Sequence, residues 1–306
     1  MSDTTASLRH KIESAGDLQS VVRTMKSVAA SSIVQYEQSV RALVDYARTV
    51  ELGLSVCFRG IGHTDAPAGK AKGAEAGVIG AVVFGSDQGL VGQFNDLVAD
   101  HAVKTLKGLT DPPGDASRSQ PRVWAVGERV QTRLADAGLA LVGSFTVPSS
   151  VAAITALVGE ILVETEAHQR QGEFSALYLF YNRPTSGAVY TPVDQRLLPL
   201  DAPWRRSLAE APWPTNNLPE VIGGDTGADT GTLRALIREH LFVSLFRACA
   251  ESLASENASR LAAMQRADKN IEDLLETLNR TFHRLRQSGI DEELFDVIAG
   301  SRRQAG

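Results

Sequence analysis

Between Ser252 and Gln287 the apolar residues Leu261, Met264, Ile271, Leu275, Leu278, Phe282 and Leu285 recur at alternating three- and four-residue steps. The same frame passes through Asp268, its one charged member. A repeat of this kind, held over several turns, predicts a helix with a narrow apolar seam. A seven-residue period further predicts a left-handed supercoil with a partner helix. The matching pattern lies at the other end of the chain, in Leu18, Val22, Met25, Ala29, Ser32, Tyr36, Ser39, Leu43, Tyr46 and Val50. The two ends of the chain are therefore expected to pair as a coiled coil.

Residues 1–58 read as the first coiled-coil segment, with one proline-free helix over Leu8–Phe58. Residues 59–77, rich in Gly, Ala and Pro, read as a linker. The period then changes. Val78–Phe84 is a short apolar run suited to a strand buried on both faces. Further strands are expected at Arg122–Val126, Ala140–Val147, Phe174–Tyr181 and Val189–Leu198. Helices are expected between them at Asp96–Leu106, Glu128–Ala137 and Ser150–Gln169, the last capped by Ser149 or Ser150. Residues 182–187 read as a hairpin turn. Strands alternating with helices over residues 78–200 predict an open, Rossmann-like α/β insert domain with one antiparallel strand added. Residues 201–231 read as an exposed Pro/Gly-rich loop. Residues 232–306 form the second coiled-coil segment, with Thr230 or Thr232 as its cap. From Leu233 to Ile298 no proline intervenes. At ~1.5 Å per residue such a helix is on the order of 100 Å long. A single compact domain cannot bury that length. The fold class is α/β, a coiled coil of terminal helices interrupted by an inserted domain.

Composition narrows the function. The formal charge is −5, against the basic balance of a dedicated nucleic-acid binder. Cys57 and Cys249 make neither a disulfide framework nor a metal cluster, and read as buried thiols. The polar start of the chain lacks the apolar core of a signal peptide. No apolar run approaches the ~18 residues of a membrane span. The chain is expected to meet a membrane only through partners.

Candidate chemistry is sparse. The loop Gly85-Ser86-Asp87-Gln88-Gly89-Leu90-Val91-Gly92 joins a strand to a helix, as a phosphate-binding turn does. Its spacing is not G-x-G-x-x-G, and no G-x-x-x-x-G-K-[ST] occurs. A tight strand-to-helix turn needing positive φ angles is the better account of the glycines. Glu128, ending the second strand, stands where a ribose-binding acid would. The six histidines are scattered without metal-ligand spacing. No nucleophile–base pair or nucleophile elbow is present. Arg280, Arg284, Arg286, Arg302 and Arg303 make the C-terminal part basic. That charge suits either a helix C-terminus or a rim facing acidic loops of a partner. No catalytic residue, cofactor or metal site is expected.

Three segments together carry a resemblance. The N-terminal LRHKIESAGDLQSVVRTMKSVAAS, the loop GSDQGLVGQFN and the C-terminal ASENASRLAAMQRADKNIEDLLETLNRTFHRLRQSGIDEEL resemble, in the same order, the gamma subunits of F-type ATP synthases. The likeness covers nearly the whole chain. Departures include Val91 where the family often has Cys, Gln93 for Gly, Ser27 for Met, Ser32 for a basic residue and Asp291 for Thr. They point to a divergent branch, such as the alternative ion-pumping ATPases.

The resemblance implies an antiparallel coiled coil acting as a rotor shaft within a hexamer of alpha and beta subunits. Its α/β foot would lie beside the epsilon subunit and the membrane c-ring. Torque would pass between the c-ring and the hexamer, coupling ion flow to ATP synthesis or hydrolysis, with the chemistry in the beta subunits. The chain would be peripheral on the cytoplasmic face of a bacterial plasma membrane. Arg286 and Gln287 match family positions that catch on the hexamer. Asp87 and Gln88 lie in the loop that faces the beta subunit, and Ser27 lies in the N-terminal motif. The rival readings are a nucleotide-dependent enzyme built on the α/β insert and a coiled-coil scaffold with no rotary role.

Overall fold

Six consecutive residues, Ile79–Phe84, are buried at every position, and they form the central strand β1. The computed structural model describes residues 4–61, 78–110, 120–185, 190–217 and 230–304. β1 lies in a five-stranded sheet with β2 (Arg122–Val126), β3 (Leu141–Phe145), β4 (Ala176–Pro184) and β5 (Tyr190–Leu198). The order is β3-β2-β1-β4-β5. The first four strands are parallel, and β5 runs antiparallel to β4. Helices α2 (Phe94–Thr110), α3 (Glu128–Asp136) and α4 (Val151–Arg170) make the crossovers.

Alternation along the strands splits the core between two faces. Ala81, Val83, Val123, Ala125 and Phe180 pack with α2 and α3. Val82, Phe84, Trp124, Leu179 and Tyr181 pack with α4 and with the helix α6 (Thr230–Gln304). A strand covered on both faces must be apolar throughout, which is why β1 reads as a continuous run. Ser150 caps α4, its side chain accepting from the Ala153 N–H as the sequence predicts.

The N-terminal helix α1 spans Thr5–Ile61. Packing divides the chain into two compact units, Met1–Ala30 with Arg260–Gly306, and Ser31–Ser259. In the second unit α1 and α6 run antiparallel. The Tyr46 hydroxyl donates to Glu239 at 2.6 Å, and seven residues further along α1 Gly53 lies against Leu236.

Three expectations are corrected. The expected seam on α1 holds at Val22, Ala29, Tyr36 and Val50, which are buried, and at Met25, Ser32, Ser39 and Leu43, which are half-buried; it departs at Leu18 and Tyr46. Leu8, Ala15, Val22, Ala29, Tyr36 and Val50 are buried, a stripe stepping by seven and fourteen residues. Leu18 and Tyr46, expected beside that stripe, are 55% and 46% exposed. A half-buried flank runs beside the stripe at seven-residue steps, at Ile12, Gln19, Lys26, Ile33, Val40 and Ala47. Polar residues occupy two of those places, which hides the flank from a hydrophobic count. Second, the segment expected as loop after Asp201 opens with helix α5 (Ala202–Glu210). Asp201 caps it through the Trp204 N–H, and Pro203 lies in its first turn, where a proline favours a helix. Its Trp204 and Leu208 pack with Val50, Leu54 and Phe58 of α1. Third, Cys249 is buried but Cys57 only half-buried, and neither forms a disulfide. Residues 62–77 of the expected linker, 186–189 of the hairpin and 218–229 of the loop lie outside the described residues, as does any cap preceding Thr230.

Candidate functional site

The loop that leaves β1 occupies the topological switch point of the sheet. β1 leads toward β2 on one side and is flanked by β4 on the other. In open parallel sheets the crevice at such a point is the usual ligand site. Here the chain itself fills it. The Asn182 side chain, fully buried at the end of β4, donates to the Phe94 carbonyl at 2.9 Å. From α6, the Ser255 hydroxyl reaches the Asn182 carbonyl at 2.9 Å, and the Ser259 hydroxyl donates to the Val91 carbonyl. Ser255 and Ser259 are four residues apart and so share one face of α6. The Tyr190 ring closes edge-on against Phe94 with centroids 5.5 Å apart.

The loop is also tied internally. The Ser86 N–H donates to Asn95 Oδ1 at 2.9 Å, and Asn95 Nδ2 donates back to Ser86 Oγ at 2.8 Å. Positive φ angles fall at Leu90 and Gly92. Gly85 is glycine for another reason, space. A Cβ there would lie 2.3 Å from that of Val130. Gly127 combines both constraints, with φ 110° and the Ser86 backbone 2.8 Å from any added Cβ.

Asp87 has an internal task. Its carboxylate accepts from the Glu128 N–H at 3.0 Å and from the Val147 N–H at 2.9 Å. Gly127, the N-cap residue of α3, has no side chain to cap with, so Asp87 supplies the anion that the helix start favours. The position a phosphate would take at α3 is thus held by a carboxylate. Glu128 is the first residue of α3, and its backbone engages Asp87. Gln88 is exposed.

The two-helix unit holds the other candidates. Ala15, Val22, Met264 and Ile271 form its core, with Met25, Ala263, Ala267 and Leu275 around them. Asp268, the charged member of the seam, accepts from Lys26 Nζ at 2.9 Å and Arg23 Nε at 3.2 Å. The hydrogen bond from Lys26, and then that from Arg23, hold its carboxyl below the ordinary value. Ser27 is exposed, its hydroxyl turned back to the Arg23 carbonyl at 3.1 Å. Arg286 and Gln287 are exposed on α6, eighteen and nineteen residues beyond Asp268. At 1.5 Å per residue that is about 27 Å along the axis. Ser27 and Arg286 therefore do not meet in this unit.

Sequence reasoning missed the polar side of the switch point. Ser255 and Ser259, which reach it, are buried, as are Ser252, Glu256 and Asn257 of the same stretch of α6. The available signal was a run of small hydroxyl and amide residues inside an otherwise periodic helix. Among the described residues no cluster of three His, Cys, Asp or Glu side chains could hold a metal.

Comparison with known proteins agrees with this construction. The family model described as ATP synthase matches residues 4–302. The ATP synthase gamma chain of Granulibacter bethesdensis is 28% identical over 296 residues, 96% of this chain and 97% of that one. The ATP synthase gamma chain of Brevibacillus brevis is 24% identical over 301 residues, 97% and 98% of the two chains. In fold, the chain is similar to one in the Euglena gracilis mitochondrial ATP synthase, OSCP/F1/c-ring, in rotational state 3. There the TM-score is 0.64 at 16% identity, covering 98% of this chain and 94% of that one. The terminal helices, the inserted sheet and the near full-length matches lead to one conclusion: the chain belongs to the ATP synthase family, among its gamma chains.

Proposed function

We propose that this chain is the rotor shaft of an F-type ATP synthase, carrying torque between a membrane c-ring and a hexamer of alpha and beta subunits. Ion flow is thereby coupled to ATP synthesis or hydrolysis. The observation that carries the reading is the pairing of the chain's two ends, with Met264 and Ile271 packed with Ala15 and Val22. Catalysis belongs to the beta subunits. The seam and the packed switch point give the chain a mechanical task instead. Exposed apolar residues on α1 (Leu18, Val21 and Val28) and near the end of α6 (Ile290, Leu294 and Phe295) fit a surface that partners surround. Arg286, Gln287 and Ser27 are assigned to contact with the hexamer. Gln88 carries the loop's contact with the beta subunit, while Asp87 shapes that loop from behind. The paired ends, residues 1–58 and 232–306, are the axle, and residues 78–200 form its foot, beside the epsilon subunit. No described helix is long and apolar enough to cross a membrane. The complex holds the chain peripherally on the cytoplasmic face of a bacterial plasma membrane.

The test is affinity purification of the tagged full-length chain from its own membranes. Alpha, beta and c subunits should co-purify with ATPase activity that responds to inhibition of ion flow. Recovery of the chain free of an alpha–beta hexamer would overturn the reading. The rival, a nucleotide-dependent enzyme, predicts dinucleotide binding, which the filled crevice disfavours.

A further inference from the structure

The unit formed by Ser31–Ser259 contains a second concavity, a cleft of about 480 Å³ that shares no residue with the β1 exit loop. That volume lies within the range of small-molecule sites. Val40, Leu43, Val44 and Ala47 of α1 line it, with Leu197 of β5 and Trp204 of α5. The His240 ring lies tilted against Trp204, with centroids 4.7 Å apart. Burial lowers the His240 pKa, so the imidazole enters the cleft as a neutral surface.

The charges are unevenly placed. Arg183 Nε and Arg247 Nε both donate to the one carboxylate of Glu251, at 3.1 and 2.7 Å. A single buried carboxylate balances one guanidinium, so the trio keeps a net positive charge on the cleft wall. Arg196 is balanced by Asp201 at 2.7 Å. The terminal nitrogens of Arg247 make no hydrogen bond among the described residues, and a guanidinium offers five donors. Glu51 also lines the cleft, eleven residues beyond Val40 and so about 16 Å further along α1. Because α1 and α6 are antiparallel here, Arg247 lies toward Val40 and away from Glu51. One end of the cleft is cationic, the middle is apolar, and the far end is acidic.

We propose that this cleft binds a monoanionic amphiphile, a medium-chain carboxylic acid in its ionised form. The carboxylate accepts from Arg247 and Arg183, and the alkyl chain lies along Val40–Ala47 toward Trp204. Glu51 rejects a second anionic group at the distal end. The inference does not depend on the rotor reading.

The experiment is titration calorimetry on the full-length chain with decanoate, decylammonium and decanedioate. Decanoate should bind with 1:1 stoichiometry. Both other probes should bind about tenfold more weakly, the scale of one charge-assisted hydrogen bond. Arg247→Gln should weaken decanoate by about the same factor. Val44 is 60% exposed, so Val44→Trp is compatible with folding while filling the cleft. It should weaken decanoate at least about fivefold with an unchanged thermal midpoint of the free chain. Equal affinity for decanoate and decylammonium would overturn the proposal. So would decanoate binding indifferent to Val44→Trp, or no saturable heat at millimolar decanoate.

Discussion

Two carboxylates show how a single side chain can be committed to structure. Asp87 stands in the family loop where an outward contact is expected, yet both its oxygens accept backbone N–H groups of the chain itself. Asp87→Ala removes the one side-chain cap of α3 found among the described residues and frees the Val147 N–H. It should destabilise the full-length chain by about 1–2 kcal/mol, the range of a lost helix cap, in denaturant unfolding. Gln88→Ala, on the exposed side, should fall within about 0.5 kcal/mol of wild type. Asp268 was legible as an anomaly in the seam, but its partners were not. Arg23 and Lys26 lie some 240 residues away in the sequence, and only antiparallel pairing brings them to it. His168 offers a pH test. Its ring bonds Glu173 at 3.0 Å and Glu164 at 3.2 Å, with Arg122 also on Glu173 and the Trp124 ring edge-on at 5.2 Å. The Glu173 hydrogen bond raises the His168 pKa, with Glu164 adding to it against the opposing effect of burial. A raised folded-state pKa stabilises below the unfolded value of roughly 6.5 and is lost as pH rises through the folded one. The wild-type thermal midpoint should therefore exceed that of His168→Gln near pH 6, and the gap should narrow by pH 8. A gap constant over that range would contradict the assignment.

At the scale of elements, periodicity located most of the structure. β1, β2 and β5 were readable within a residue of their observed ends because each has clear turn or loop residues beside it. On α6 the expected seam is the observed one, with Met264 and Ile271 buried and Leu275, Leu278, Phe282 and Leu285 half-buried. On α1 the expected seam departs only at Leu18 and Tyr46, which are exposed, and it omits a half-buried flank. The flank there includes the half-buried Gln19 and Lys26, and the Lys26 ammonium is held by Asp268 of α6. Such residues count as polar in any hydropathy pattern. Helix α5 was hidden by Pro203, since a proline signals a break in a helix interior but a start at its first turn. Leu278→Asp places a carboxylate in the seam and should cost about 1–3 kcal/mol. Leu274→Asp, at a position 50% exposed, should be nearly neutral and serves as the control. In reconstituted complexes, Leu278→Asp should lower assembly and the coupling of ATPase to ion flow while Leu274→Asp leaves both unchanged. Equal behaviour of the two variants would argue against the seam as the stiffening element.

For the molecule as a whole, the family match runs over residues 4–302, so the sheet and both terminal helices belong to one inherited design. Arg286 tests the outward-facing part of it. Exposed and distant from the Asp268 cluster, Arg286→Ala should leave the helicity and melting of the isolated chain unchanged. In an assembled complex it should reduce ATPase turnover several-fold, as loss of a charge-assisted contact does. A parallel loss of helicity in the isolated variant would assign it a structural role instead. The packing at the end of β1 has a practical corollary for anyone redesigning this sheet. Restoring a dinucleotide glycine fingerprint to the loop would not create a coenzyme pocket. The serine face of the long C-terminal helix and the amide of Asn182 would still occupy the space, so such a graft would first have to evict the helix that the rest of the chain is built around.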